Sequence, residues 1–192
     1  MKLKCKGRVS LAGYNNDDYH RGRNKFFELA WIVTQALFVS SALPGSAHRR
    51  ILLRLFGARI GNNVVVKPRV RIKFPWRLEV GDNSWIGEGV WIDNVADVAI
   101  SSDVCVSQEA YICTGSHDWA SSSFDLMLAP TRIEAGAWVA AKACLAPGVT
   151  VGEGAVLAFA SVAVSDLNPW CVYSGNPAVK KRARKMGGRS DC

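Results

Sequence analysis

The sequence is short of histidine, of acid and of paired cysteine, and each shortage removes a class of function. Only His20, His48 and His117 are present, so a metal centre built on several imidazoles has few ligands to draw on. The six cysteines, at 5, 105, 113, 144, 171 and 192, include no CxxC pair, which argues against a zinc ribbon. The first apolar run begins only at Phe26. No signal peptide is therefore expected, and the thiols read as reduced and cytoplasmic. That run, residues 26–43, is broken by Glu28 and Gln35 and is marginal for a membrane span. Sixteen acidic residues face 24 basic ones, a net charge of +8. The basic excess lies in residues 2–73 and in the tail from Lys180 to Arg189. A basic tail suits an anionic partner: nucleic acid, acidic lipid or a phosphorylated cofactor. The middle of the chain is mixed in sign, with no long basic stripe, which argues against nucleic acid.

What is present is a six-residue beat. An aliphatic residue opens each unit at 60, 66, 72, 80, 86, 92, 100, 106 and 112, then at 133, 139, 145, 151, 157 and 163. Fourteen of these fifteen are Ile, Leu or Val, although only 44 of the 192 residues are. Four residues after the opener, thirteen of fifteen are Ser, Ala or Val. Gly often follows the opener directly, as at Gly61, Gly81, Gly87 and Gly152. A period of six is neither helical nor a simple hairpin pattern. It fits a prism with one short strand on each face: the aliphatic residue fills the interior, the small one sits near a corner, and Gly eases the turn. Three units make a coil, and stacked coils bury a core that no single coil could bury.

The beat stops from His117 to Arg132, a stretch with three serines and Pro130 that reads as an exposed loop at a coil corner. Long loops on a rigid scaffold usually carry function. Before the repeats, Asn24 can cap a helix running through Phe26 to Val39 and stopping before Pro44-Gly45. A second helix, about His48 to Phe56, ends at Gly57. The organisation expected is thus a helical segment over 1–57, a β-helix over 58–170 with the loop 117–132, and a basic tail over 171–192.

Four stretches carry a resemblance: Ile112-Cys113-Thr114-Gly115-Ser116-His117-Asp118, Ile133-Glu134-Ala135-Gly136-Ala137-Trp138-Val139, Ala146-Pro147-Gly148-Val149-Thr150-Val151-Gly152 and Ser174-Gly175-Asn176-Pro177-Ala178. Over about residues 24–185 the chain resembles the hexapeptide-repeat O-acetyltransferases. It looks most like those of colanic acid biosynthesis and less like the galactoside and maltose acetyltransferases. The resemblance implies an all-β fold, a left-handed parallel β-helix, which departs from the usual right-handed crossover. It also implies a homotrimer with active sites between subunits, and acetyl-coenzyme A as co-substrate without a metal.

Acetyl transfer to a hydroxyl needs a base, donors for the oxyanion and a channel for the thioester. His117 is the only histidine in the repeats. It follows the inward small position Ser116, so its ring should point outward, where a neutral imidazole can act as general base. Asp93 and Asn94, one coil below, are candidates for holding the acceptor hydroxyl or orienting the imidazole; their alternative is a corner turn, which both residue types favour. The resemblance places a backbone N–H near the thioester carbonyl at Ala140-Ala141. It suggests Ala141, Phe159, Val164 and Ser165 along the pantetheine arm, and Lys181 and Arg182 at the phosphates. Here the chain departs from the common pattern: Ala140 and Ala158 replace Gly, Phe159 replaces a small residue, and Ala163-Val164-Ser165 lacks a Thr-Lys pair. Trp119, in the loop, is the tryptophan best placed to stack on a sugar.

The function expected is O-acetyl transfer to a saccharide intermediate of a cell-surface polysaccharide, in the cytoplasm or at the inner face of the membrane. Arg49, Arg50 and Arg54 would favour anionic lipid there. The competing acceptors are serine or an antibiotic hydroxyl. A non-enzymatic alternative is a trimeric scaffold docked on a membrane. A carbonic anhydrase on the same repeat needs three histidines on neighbouring coils, and the repeats hold one.

Overall fold

The computed structural model describes residues 8–186. Cys5, Cys192 and the end of the basic tail at Arg189 lie outside them. Each opener of the six-residue beat sits in a strand of two or three residues with its side chain inward, and all fifteen are at most 8 % exposed. The strands stack in parallel into three sheets. The first runs from Arg59–Ile60 to Thr150–Val151, the second from Val65–Val66 to Val156–Leu157, and the third from Arg71–Ile72 to Val162–Ala163. Register follows the spacing of the openers: Val66 pairs with Ile86 and Ile86 with Val106, twenty apart, whereas Val139 pairs with Leu157, eighteen apart.

The glycine after the opener has a different cause from the one expected. Gly81 and Gly87 do not adopt positive φ. A Cβ on Gly81 would lie 2.5 Å from the Ser102 nitrogen, and one on Gly87 would lie 2.7 Å from the Gln108 nitrogen. The glycines let successive coils approach; the turn itself is made elsewhere, by left-handed residues such as Asn63, Asn83 and Asp103 at one recurrent corner.

Two stretches depart from the sequence reading. Residues 117–132 are not only a loop: Gly115–His117 and Leu126–Leu128 pair as an antiparallel hairpin. The hairpin leaves the prism at the corner between the third and first sheets. Ser116, expected inward, is exposed because the chain has already left the coil. Past residue 170, Cys171–Gly175 extends the second sheet and Ala178–Ala183 returns antiparallel to it, so the basic stretch is partly a strand.

The N-terminal helices close the open end of the β-helix. Helix α1 (Lys25–Thr34) starts where the Asn24 side chain accepts from the Phe27 N–H at 2.9 Å. It continues through one π-helical turn, Gln35–Val39, and helix α2 spans Ala47–Leu55. The first coil has no coil beyond it, so its outward-facing carbonyls form an edge. Side chains meet them: Trp31 Nε1 donates to Ile72 (2.9 Å), Ser40 Oγ to Val70 (2.8 Å), Arg50 to Val64 (2.8 Å) and Arg54 to Ile60 (2.7 Å). Gln35 accepts from the Ile72 N–H. Arg49 is fully buried and donates to the carbonyls of Val39, Ser41, Leu43 and Gly45, a cation gathered at the end of the helical run. The three arginines expected to face anionic lipid are thus spent on backbone carbonyls. What α1 and the π-helical turn do expose is an apolar row at Phe26, Leu29, Val33 and Leu37. No helix among the described residues is long and apolar enough to cross a membrane.

Candidate active site

His117 ends the first hairpin strand and is half-buried. Its ring stacks on Phe124, with centroids 4.4 Å apart and planes 6° apart. Its Nδ1 lies 2.9 Å from the Phe124 carbonyl oxygen. A carbonyl can only accept, so in the neutral ring Nδ1 carries the proton and Nε2 keeps its lone pair. Phe124 sits at φ 54°, a left-handed conformation that is costly for an aromatic residue and that turns its carbonyl onto the imidazole. Tyr14, from the far end of the chain, meets the same ring edge-on at 5.5 Å. Neither Phe124 nor Tyr14 was legible as a site residue. Nothing in a Ser-rich loop marks one carbonyl, and Tyr14 lies a hundred residues away.

The two polar residues expected beside His117 part company. Asn94 is fully buried; its amide accepts from the Phe74 N–H (3.0 Å) and donates to the Phe74 carbonyl (2.6 Å). That buried amide fastens one coil to the next. Asp93 is half-buried, 3.1 Å from Lys73 Nζ, and accepts from the Tyr111 hydroxyl at 3.2 Å. Burial above all, then Cys113 and Asp93, push the Tyr111 phenol far above its ordinary range, so it stays a donor. Among the described residues no hydrogen bond joins Asp93 to His117; the orienting partner is Phe124.

The residues expected along the thioester separate in a similar way. Ala141, Phe159 and Arg182 line one groove of about 510 Å³ with Trp138, Val172 and Arg184. The groove lies on the outer face of the second sheet and the corner that follows it. Phe159 keeps 66 % of its surface exposed, so its bulk lines the groove without filling it. The Ala140 N–H donates to Leu157 at 2.9 Å, which holds the coils together, while the neighbouring Ala141 N–H makes no hydrogen bond among the described residues. Val164 and Ser165 are exposed beyond the third sheet and outside the groove. Arg182 stands opposite Val172, whereas Lys181 falls at the register shift and does not line the groove. Trp138 Nε1 donates to Ser107 Oγ at 2.8 Å, which sets its ring along the groove wall. Trp119, at the hairpin tip, is 82 % exposed and joins neither feature.

The groove and His117 stand at different corners of one prism. The groove follows the second sheet; the hairpin follows the third. No group of three or more potential metal ligands occurs among the described residues.

No protein-family model matches the chain. It is 39 % identical over 175 residues to WcaF of Escherichia coli K12, named as a colanic acid biosynthesis acetyltransferase, covering 91 % of this chain and 96 % of that one. Among solved structures it is similar to a hexapeptide-repeat acetyltransferase of Vibrio cholerae complexed with acetyl-coenzyme A. There the TM-score is 0.78 and the identity 23 %, over 92 % of this chain and 96 % of that one. A maltose O-acetyltransferase of Clostridium difficile gives a TM-score of 0.75 at 19 % identity, over 85 % and 90 % of the two chains. The structural likeness is one of fold, a left-handed parallel β-helix.

Proposed function

The chain belongs to the WcaF-type hexapeptide-repeat acetyltransferases, and from that premise we propose that it moves the acetyl group of acetyl-coenzyme A onto a saccharide hydroxyl, in the making of a cell-surface polysaccharide. His117 is the general base. The observation that carries this role is the Nδ1 contact with the Phe124 carbonyl at 2.9 Å, which directs the basic lone pair to Nε2. Nε2 takes the proton of the acceptor hydroxyl as its oxygen attacks the thioester carbonyl, and the coenzyme A thiolate leaves. The Ala141 N–H is the donor we assign to the developing oxyanion. Trp138, Phe159 and Arg182 hold the donor in the groove.

Because groove and base occupy different corners of one chain, we assign the working unit to a homotrimer in which the groove of one copy meets His117 of the next. The exposed outer face of the second sheet, with Trp85 and Trp138, supports that assembly. The enzyme is placed in the cytoplasm, with its acetyl donor. The row of Phe26, Leu29, Val33 and Leu37 is the surface we assign to peripheral membrane contact. With Arg49, Arg50 and Arg54 engaged elsewhere, this contact is apolar, and vesicle co-sedimentation should persist at high salt.

The test of the reaction is acetyl transfer from acetyl-coenzyme A to a panel of saccharides by wild type and His117→Ala. The variant should assemble and bind coenzyme A yet lose roughly 10²–10⁴ in turnover. Near-normal turnover would remove His117 from the mechanism.

A further inference from the structure

The first sheet turns outward a ladder of side chains, one to a coil: Arg59, Glu79, Ala99, Arg132 and Thr150, each in register with the next. The ladder has one gap, at Ala99. Neighbouring strands stand about 4.8 Å apart, so the small side chain opens a slot between Glu79 and Arg132 roughly 10 Å across from backbone to backbone. Residues two positions away along a strand share its face and complete the walls. Asp97 stands on one side of Ala99; Ser101 and Glu134 stand on the other. The cavity so formed measures about 700 Å³, within the range of about 300–1,000 Å³ typical of small-ligand sites.

Both signs of charge face the slot. Arg59 is paired with Glu79 at 2.6 Å. Arg132, Asp97 and Glu134 enter no ion pair among the described residues. The Thr131 hydroxyl, at the same wall and fully buried, has no hydrogen-bond partner among them either. Two guanidiniums against three carboxylates leave little net field, which gives no hold to a phosphate or a polycation. No aromatic ring lines the slot, which gives none to an apolar ligand. A hydroxyl both donates and accepts, whereas a carboxylate only accepts and a guanidinium only donates. A row of hydroxyls is therefore what matches these groups set side by side.

The slot also has a telling place. It ends at Pro130 and Thr131, where the return strand of the His117 hairpin rejoins the coil. In the trimer assigned above, the corners that meet are the two that bound the third sheet, so the first sheet faces outward. We propose that the slot is a glycan exosite. It holds sugar units that flank the one being acetylated, their hydroxyls donating to Asp97 and Glu134 and accepting from Arg132. The enzyme thereby favours an oligosaccharide over a single sugar. The inference rests on the reading of the chain as a saccharide acetyltransferase, and the experiment separates the two.

Methyl β-galactopyranoside and β-1,4-galactotetraose, with methyl α-glucopyranoside and maltotetraose, serve as probes for the full-length protein. Two variants act on the slot differently, and thermal melting checks the fold of each. Ala99→Tyr fills the slot from a half-buried outward position that the core does not use. Arg132→Met/Glu134→Gln keeps the bulk of the walls and removes their charges. Wild type should favour a tetrasaccharide over its monosaccharide about tenfold or more in kcat/KM, the worth of one or two hydrogen bonds. Either variant should erase that gain through KM. Transfer to the monosaccharides, which do not reach the slot, should hold, as should KM for acetyl-coenzyme A. Saturation-transfer NMR of the tetrasaccharides on His117→Ala protein reads binding without turnover, and adding Ala99→Tyr should remove the signal. Acetyl transfer to saccharides with no gain for either tetrasaccharide, with no NMR signal, or with a gain that both variants leave intact, overturns the slot and leaves the reaction standing. A signal that Ala99→Tyr removes, with no acetyl transfer to any saccharide by wild type, sustains the slot and sinks the proposed reaction instead.

Discussion

The groove we assign to the donor is made of repeats, whereas the surroundings of His117 come from the inserted hairpin and the N-terminal stretch. Trp138 and Ala141 stand on one coil and Phe159 on the next, at fixed positions of the six-residue beat, and the ladder that carries them also carries the core. His117, Phe124, Asp125 and Tyr14 come from an inserted hairpin and an N-terminal stretch, held together by single contacts such as Ser10 to Ser122. The groove inherits its rigidity from a stack of parallel strands; His117 inherits its position from one carbonyl and two aromatic rings. This division suits an enzyme whose donor is invariant and whose acceptor is particular. A stacked solenoid is hard to alter at one site without altering its neighbours, while an inserted hairpin can change freely.

Shortening the hairpin breaks the comparison hardest. Replacing Ser121–Phe124 by a tight turn leaves His117 in place but removes the carbonyl that fixes its tautomer and the ring that stacks on it. Turnover should fall roughly 10²-fold, as expected for a catalytic group left in place but misoriented. The melting temperature and the affinity for coenzyme A should hold, because no coil is touched. A matching fall in coenzyme A affinity would show that hairpin and groove are one unit.

The same division decides what the sequence could tell. The openers, the small residues near the corners and the interruption at 117 are periodic facts, and a prism of short parallel strands follows from them. The glycine after the opener was visible while its reason was not, since only the stacked structure shows a backbone 2.5 Å from where a Cβ would stand. Asp93 and Asn94 could not be told apart because Asp and Asn share a liking for corners; burial made Asn94 a fastener between coils and left Asp93 beside Tyr111. Gln35 argued against a membrane span by its polarity, and its amide caps the edge of the first coil. Tyr14 and Phe124 carried no pattern, because a contact across a hundred residues, or through a backbone carbonyl, leaves no mark on composition or spacing.

On the groove side, Trp138→Ala should raise KM for acetyl-coenzyme A roughly three- to tenfold, the worth of one aromatic contact. The KM for the saccharide should be unmoved. Trp138 is 44 % exposed and belongs to no core cluster, so stability should change little. An effect on saccharide KM alone would place the acceptor, not the donor, on the second sheet.

The smallest effect separates two adjacent cations. Arg182 and Lys181 are both exposed and follow the same Gly-Asn-Pro-Ala turn, so composition cannot rank them. Backbone register can. The antiparallel return strand pairs Arg182 with Val172 on the groove face, and the register shifts between Val172 and Tyr173 so that Lys181 has no partner. A residue at such a shift is turned out of the alternation of its strand. Arg182 alone of the two therefore lines the groove, and its planar fork suits a phosphate. Exposed charge pairs contribute about 0.2–1 kcal/mol, so Arg182→Ala should raise KM for acetyl-coenzyme A only about two- to fivefold. The increase should shrink at high salt and vanish for an acetyl-pantetheine thioester that lacks the nucleotide. Lys181→Ala should leave both donors near wild type. If the two substitutions weaken acetyl-coenzyme A equally, the tail acts as a diffuse positive field and the register carries no specificity. If neither does, the nucleotide end of the donor is held elsewhere.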